Sequence, residues 1–510
     1  MRRVAGVLVL AGVAGLAVPL GLSVPGPQNL TAVSILAATA LAAVPLFPLV
    51  LGRRFDVFEP VYIFAVSFAI LFVIKPAWDL TQPGGVPQFA GKSPDATYAA
   101  AIGIASIGAA GFYLAYYWYR PPSKVVTRAR PDRVVTESRL SAYIVGVLLL
   151  AAALWGVLVA SFGGLNPVTA HASGYLYSAP LLLAPAGLLL VLAAPVWRSR
   201  KAAVGFFLIA LSQVPAFIGG ARSWTLPVMA ALVLVYYLKR QTRPSLVWIA
   251  VVAMPVFLLF VSAPRDYRGE SAGQGSLIES VWTTVTNPGG EVDRFLRFGD
   301  TSMAADLAIE LQYVPRELNY QYGATYAEAL MRPVPRTWWP AKPTAADTQL
   351  MAVIWPGFLA QGIGFSFSAF GEPYLNFGIP GVAVFGLAAG AACGALYSWL
   401  ARNPGSQVAQ AVFAVSWPFV FVYMRGGIGV DYQRQLIILV PLLVGYAFAW
   451  RKIPGDHAQL DARIAKSQPA STSGDTAPAG LRLGHRWAPA DEQCAEPRAV
   501  GPAGMSVRHE

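Results

Sequence analysis

Apolar stretches long enough to cross a bilayer follow one another from Val4 to Trp450, and this pattern decides the fold class before any motif is read. A segment of about 18 or more apolar residues marks a transmembrane helix. Lipid offers no partner to backbone N–H and C=O groups, so such a segment must satisfy them within itself. Hydrophobic residues are 55% of the 510 and charged residues 13%, as expected of an all-α, polytopic membrane protein. Twelve spans are read, at about 4–24, 30–51, 57–76, 97–118, 140–162, 178–197, 202–220, 223–238, 245–263, 374–400, 407–424 and 433–450. The chain then divides into helices 1 to 9 over 1–263, one large external loop with short helices over 264–373, helices 10 to 12 over 374–450, and a tail over 451–510. The 40 prolines and 48 glycines fit kinked helices around a cavity, although high-GC codon bias gives the same count.

Charge sets the orientation. Arg2 and Arg3 precede the first span, and Arg53 and Arg54 follow the second. The connection 119–139 carries Arg120, Lys124, Arg128, Arg130, Arg133 and Arg139. Later come Arg198, Arg200 and Lys201, then Lys239, Arg240 and Arg243, then Arg402, then Arg451 and Lys452. Every second connection is basic, so the positive-inside rule puts these connections and both termini in the cytoplasm. Of 38 Lys and Arg, 25 fall inside on this reading and 13 outside. The first apolar stretch, about 20 residues without a small-x-small site after it, is read as an anchor and not a signal peptide. The tail from about Gly455 is rich in Ala, Pro, Ser, Gly and charge and reads as a disordered cytoplasmic extension. Cys393 lies in an apolar segment and Cys494 in the tail, which excludes a disulfide framework or a cysteine zinc site.

The external face holds the chemistry. Its cations are Lys75, Lys92, Arg222, Arg265, Arg268, Arg294, Arg297, Arg316, Arg332, Arg336, Lys342, Arg425 and Arg434. The positive-inside rule selects against external cations near helix ends, so those retained there need a reason. Converging guanidinium groups grip phosphate bidentately and suit a diphosphate. The plainer reading pairs each with a lipid phosphate or a loop carboxylate. Among the acids, Glu372 stands in an uncharged neighbourhood just before the tenth span, Asp266 lies between Arg265 and Arg268, and Asp431 follows a glycine-rich turn. A carboxylate at a membrane boundary serves either as a general base or as the structural partner of an arginine. His171 is the one external histidine, and it reads equally as a solvated loop side chain. Trp338, Trp339, Tyr313, Tyr320, Tyr322, Tyr326 and Tyr374 enrich the loop in aromatics, which either anchor it at the interface or stack on sugars. Apolar residues at helix spacing over Thr301–Val314 predict a surface helix, and Pro333, Pro335, Pro340 and Pro343 force the following piece to be extended. No Walker A motif, metal-ligand spacing, Gly-x-Ser-x-Gly elbow or buried charge ladder is present.

Three blocks carry a family resemblance: Tyr322 to Glu328; Pro335, Arg336, Trp339, Pro340, Lys342 and Pro343; and Gly362 to Gly378 with Ser366, Ser368, Gly371, Glu372, Tyr374 and Asn376. They resemble the signature region of O-antigen polymerases (oligosaccharide repeat unit polymerases, Wzy-type). The likeness extends to Asp56–Pro60 and to Gly220–Ser223 and covers roughly 50–450. It implies a GT-C-like architecture in a bacterial cytoplasmic membrane with an extracytoplasmic active site. It further implies transfer of an undecaprenyl-diphosphate-linked glycan onto a lipid-linked repeat unit, without metal or other cofactor. Its partners would be that lipid-linked oligosaccharide, the bilayer and a chain-length regulator, with no nucleic acid. Arginines would stabilise the leaving diphosphate. Arg222, Arg265, Arg268, Arg336, Lys342, Arg425 and Arg434 are the expected diphosphate ligands, with Trp338, Trp339 and Tyr374 at the sugar. Glu372, then Asp266 and His171, are the expected bases. An O-antigen-ligase-like transferase to another acceptor stays open, and a lipid-linked oligosaccharide flippase ranks below it, since flippases place their cations in the membrane cavity.

Overall fold

The computed structural model describes residues 27–47, 56–82, 97–120, 133–162, 179–218, 222–245, 286, 295–297, 301–331, 339, 341, 344–360 and 366–452. The first expected span, most of the ninth and the tail beyond 452 lie outside the described residues. In chain order the helices are α1 (Pro27–Ala42), α2 (Pro60–Thr81), α3 (Tyr98–Tyr119), α4 (Glu137–Phe162), α5 (Leu183–Ala193), α6 (Arg200–Ile218) and α7 (Arg222–Lys239). After them come α8 (Met303–Tyr313), α9 (Ala324–Met331), α10 (Ala346–Ile354), α11 (Pro356–Ala360), α12 (Gly371–Arg402), α13 (Gln407–Gly426) and α14 (Ile428–Ala449). One antiparallel pair, Arg133–Val135 with Trp450–Lys452, is the only strand structure among the described residues. The protein is therefore an all-α membrane protein. Six described helices are long and apolar enough to cross a bilayer: α2, α3, α4, α12, α13 and most of α14.

Glycine lets the central helices approach. On α12, Gly386 and Gly390 lie against the backbone carbonyls of Gly108 and Phe112 on α3, and Gly394 lies against Tyr116. Lipid gives helices no hydrophobic reason to associate, so close backbone contact over small residues does that work. Phe64 of α2 stacks on Phe112 at 3.6 Å beside this seam. A second seam joins α5 to α6, where a Cβ on Gly187 would come within 2.6 Å of the Gly205 carbonyl.

Proline shapes α2 and α12. In α2, residues Ile70–Ile74 widen into a π-turn just before Pro76. Proline lacks an N–H and its ring crowds the carbonyl four residues back, and the wider turn relieves that clash. In α12, Gly378 breaks the helix with φ 65° and ψ −154°, a backbone region open essentially to glycine. The continuous part from Ile379 to Arg402 is still about 36 Å long at about 1.5 Å per residue, enough to span a bilayer core.

Polar groups gather at the two ends of α2. At its start, Glu59 pairs with Arg120 and accepts from Tyr116 Oη at 3.2 Å. Beside it Arg243 and Tyr397 Oη both bond Asp56. At its end, buried Lys75 and Asp79 pair, and Tyr98 Oη donates to Asp79 at 2.8 Å. The first cluster adjoins connections expected to be cytoplasmic, and the second lies at the opposite end.

One expectation needs correction. The helix predicted over Thr301–Val314 exists as α8, but it is not a surface helix. Met303, Ala304, Ala305, Leu307, Ala308, Ile309, Glu310 and Tyr313 are all buried. Apolar residues cover most of its circumference, so it is buried among α2, α3 and α12 and not laid on the interface.

Candidate functional site

The break at Gly378 builds the site. Leu375 and Asn376 lose their helical donors there, the second because residue 380 is proline. The backbone N–H groups of Gln321 and Tyr322 take their place, each at 3.0 Å. Tyr322 (φ 45°) and Gly323 (φ 91°) turn the chain sharply, and Gly323 N donates to Asn376 Oδ1 at 2.8 Å. Thr325, at the start of α9, is thereby set down beside Glu372.

Glu372 is 1% exposed and lies at the centre of this junction. Thr325 Oγ1 donates to its Oε1 at 3.2 Å, and Gly429 N donates to its Oε2 at 2.7 Å. Asn376 Nδ2 donates to Thr325 Oγ1 at 2.7 Å and to the Glu372 carbonyl at 2.8 Å. The turn between α13 and α14 is cut to fit. Gly427 has φ 81°, and a Cβ on it would come within 3.2 Å of Glu372 Oε2. A Cβ on Gly429 would run into the same carboxyl, and one on Gly426 into Asp431. Asp431 in turn pairs with Arg434. The block 322–328 and the described part of the block 362–378 thus meet each other and the glycine turn at 426–429.

Two further acids come from α8. Glu310 is fully buried, and among the described residues neither of its carboxyl oxygens has a hydrogen-bond partner. Its Oε2 faces Gly371, where a Cβ would come within 2.6 Å. Burial first, then the charges of Glu372 and Asp306, hold its pKa well above the usual carboxylate range. Half-buried Asp306 is likewise raised by burial, partly offset by Arg425 and Lys75. Burial, Glu372 and Glu310 raise Tyr326 well above an ordinary tyrosine.

The expected ligands divide into those described and those not. Arg425 is half-buried and faces Asp306, and Arg434 is paired with Asp431. Tyr374 is buried, its ring 6.1 Å from that of Tyr320 and its Oη 3.5 Å from the Val314 carbonyl. Trp339 is at the surface, 36% exposed. Arg222 opens α7, which describes its backbone but not its side chain. His171, Arg265, Asp266, Arg268, Arg336, Trp338 and Lys342 lie outside the described residues. Among the described residues no group of three or more His, Cys, Asp or Glu is placed to hold a metal.

Glu310, Asp306, Thr325 and Asn376 were not singled out from sequence. Thr325 and Asn376 lay inside the two motif blocks without a chemical role. The signal for the acids was two carboxylates four residues apart in an otherwise apolar helix, where each buried charge is costly.

The family model for the O-antigen polysaccharide polymerase Wzy matches residues 175–426. The match ends at Gly426, so it covers Glu310, Thr325, Glu372, Asn376 and Arg425. It supports assigning the chain to the Wzy-type O-antigen polymerases. No curated protein and no solved structure matches the chain.

Proposed function

We propose that this Wzy-type chain polymerises a glycan on the outer side of the cytoplasmic membrane. The donor is a glycan on undecaprenyl diphosphate and the acceptor a lipid-linked repeat unit. The acceptor hydroxyl attacks the anomeric carbon, the new C–O bond forms as the bond to the diphosphate breaks, and the electron pair leaves with the diphosphate. Developing charge on the leaving group is stabilised by the external cations, Arg425 with Arg222, Arg265, Arg268, Arg336 and Lys342, without a metal. Arg434 reaches the same end of the bundle while holding Asp431. Trp338, Trp339 and Tyr374 supply aromatic surface for the sugars. Asp266 and His171 are secondary candidates for acid–base work.

The observation that carries this reading is the convergence of 322–328, 371–378 and 426–431 on one buried polar junction. The junction lies at the end of α2 away from the basic connections. Membrane helices bury polar groups at a cost, and a cluster of them marks a functional site.

Full-length protein in liposomes, supplied with lipid-diphosphate-linked repeat units and a chelator, tests the reading. Chain growth is expected with chelator present. Arg222→Ala, Arg265→Ala and Arg336→Ala are expected to insert in the membrane yet shorten or abolish the polymer. Full-length polymer from all three would refute the anion site, and a requirement for divalent metal would refute the metal-free transfer.

A further inference from the structure

We propose that Glu310 is the group that takes the proton from the acceptor hydroxyl, and that Glu372 is the residue that positions the junction around it. This rests on the polymerase reading above. It assigns the acid–base step to a residue of α8 in place of the carboxylate that the sequence motif singles out.

The geometry separates the two glutamates. Both oxygens of Glu372 are occupied, one by the Thr325 hydroxyl and one by the Gly429 N–H. Those two bonds tie Glu372 to α9 and to the turn between α13 and α14, so it serves to fix the three segments that meet at it. Glu310 is the opposite case. It is as deeply buried, yet among the described residues neither oxygen meets a donor. A buried polar group left without a partner costs about 1–3 kcal/mol. Such a cost persists in a native protein when the group serves a ligand or a reaction. Gly371 has no side chain, and Glu310 Oε2 fills the space a Cβ would take; the acceptor hydroxyl, or one water relaying its proton, has to displace this contact to reach the carboxyl.

The surroundings tune it for the task. An ordinary carboxylate is a weak base towards a sugar hydroxyl, and enzymes strengthen such a base by burial. Glu310 is buried beside Glu372 from α12, Asp306 from its own helix, Tyr326 from α9 and Tyr374 from α12. Lys75 at the end of α2, Tyr98 at the start of α3, and Arg425 face Asp306. Burial and the two acids raise its proton affinity. In the step itself the acceptor O–H bond breaks, its proton goes to the Glu310 carboxylate, and the oxygen forms the glycosidic bond as the diphosphate departs. The base must be ionised beforehand, so turnover rises with pH through the Glu310 pKa.

The experiment uses full-length protein and lipid-diphosphate-linked repeat units, with donor binding measured separately from turnover. Glu310→Gln mimics the protonated acid and cannot accept the proton. It is expected to lower turnover about 100-fold or more while donor binding stays within about threefold of wild type. Glu310→Asp is expected to keep part of the activity with the acid limb of its pH profile moved. Glu310→Gln polymerising at the wild-type rate would overturn the assignment, because a structural neutral acid tolerates the amide. If Glu310→Gln yields no folded protein, Glu310→Asp decides: a moved acid limb upholds the role and an unmoved one overturns it. Absence of polymer from the wild type itself would take down the polymerase reading and this role together, whereas wild-type polymer with an indifferent Glu310→Gln removes only this role.

Discussion

Thr325→Val isolates the contact that joins the two motif blocks. The change keeps side-chain volume and removes one hydroxyl. That hydroxyl donates to Glu372 Oε1 at 3.2 Å and accepts from Asn376 Nδ2 at 2.7 Å, at a residue 2% exposed. Losing a buried hydrogen bond to a carboxyl costs about 1–3 kcal/mol. One of the two Nδ2 hydrogens of Asn376 is also left without its acceptor, the other being held by the Glu372 carbonyl, which adds about 1–3 kcal/mol. The two losses share one network and do not add fully, so about 3 kcal/mol is expected in total. Thr325→Ser keeps the hydroxyl, loses only a methyl, and should cost about 1 kcal/mol. The assay is equilibrium unfolding in mixed micelles of wild type, both Thr325 variants, Asn376→Ala and the Thr325→Val/Asn376→Ala double variant. Because both partners of one bond are removed, the cycle should show a coupling of about 1 kcal/mol or more. Valine no worse than serine, or additivity within about 0.5 kcal/mol, would refute the junction as described.

Three more expectations follow from packing and charge. Gly390→Leu drives a side chain into the Phe112 carbonyl and should cost about 3 kcal/mol or more, seen as loss of monodisperse protein, while Gly103→Ala, with open space around it, should behave as wild type. Gly378→Ala forces alanine into a glycine backbone region 3.2 Å from Tyr320 Oη, for about 1–3 kcal/mol in detergent unfolding and a shorter polymer. Glu310 and Asp306 have folded pKa values above their unfolded ones, so the stability they contribute is full below about pH 4 and is lost as pH rises towards the folded values. Each contributes a slope of about 1.4 kcal/mol per pH unit in that window, and melting measured across it should flatten in Glu310→Gln.

The fold class was legible because hydrophobic length is a one-dimensional signal. Lipid imposes it on every span, and α2, α3, α4, α12 and α13 start or end within a few residues of the expected limits. What failed was the environment of α8. A helix that is apolar around most of its surface has the same composition whether it lies on a membrane or fills a bundle, and only the partners decide. At the site, Glu372 stood out as a lone acid in an uncharged stretch. Its partners did not, because Thr325 and Gly429 lie 47 and 57 residues away and pairing at that range leaves no local trace. Glu310 was missed for a related reason: in sequence it is one charge on a loop helix, and its lack of a partner among the described residues exists only in three dimensions.

The placement of α8 bears on how the protein is made. Its neighbours in space are α3, synthesised some two hundred residues earlier, and the start of α12, synthesised after it. Thr97 at the head of α3 bonds the Ala308 carbonyl, so this helix has a docking place waiting on one side only. The remaining wall arrives with Glu372, and the last donor to it is Gly429, on the final helix. A chain stalled in synthesis before residue 429 would therefore hold Glu310, Thr325 and Glu372 and still lack a closed junction. The junction is complete only once the carboxyl-terminal helix is in place.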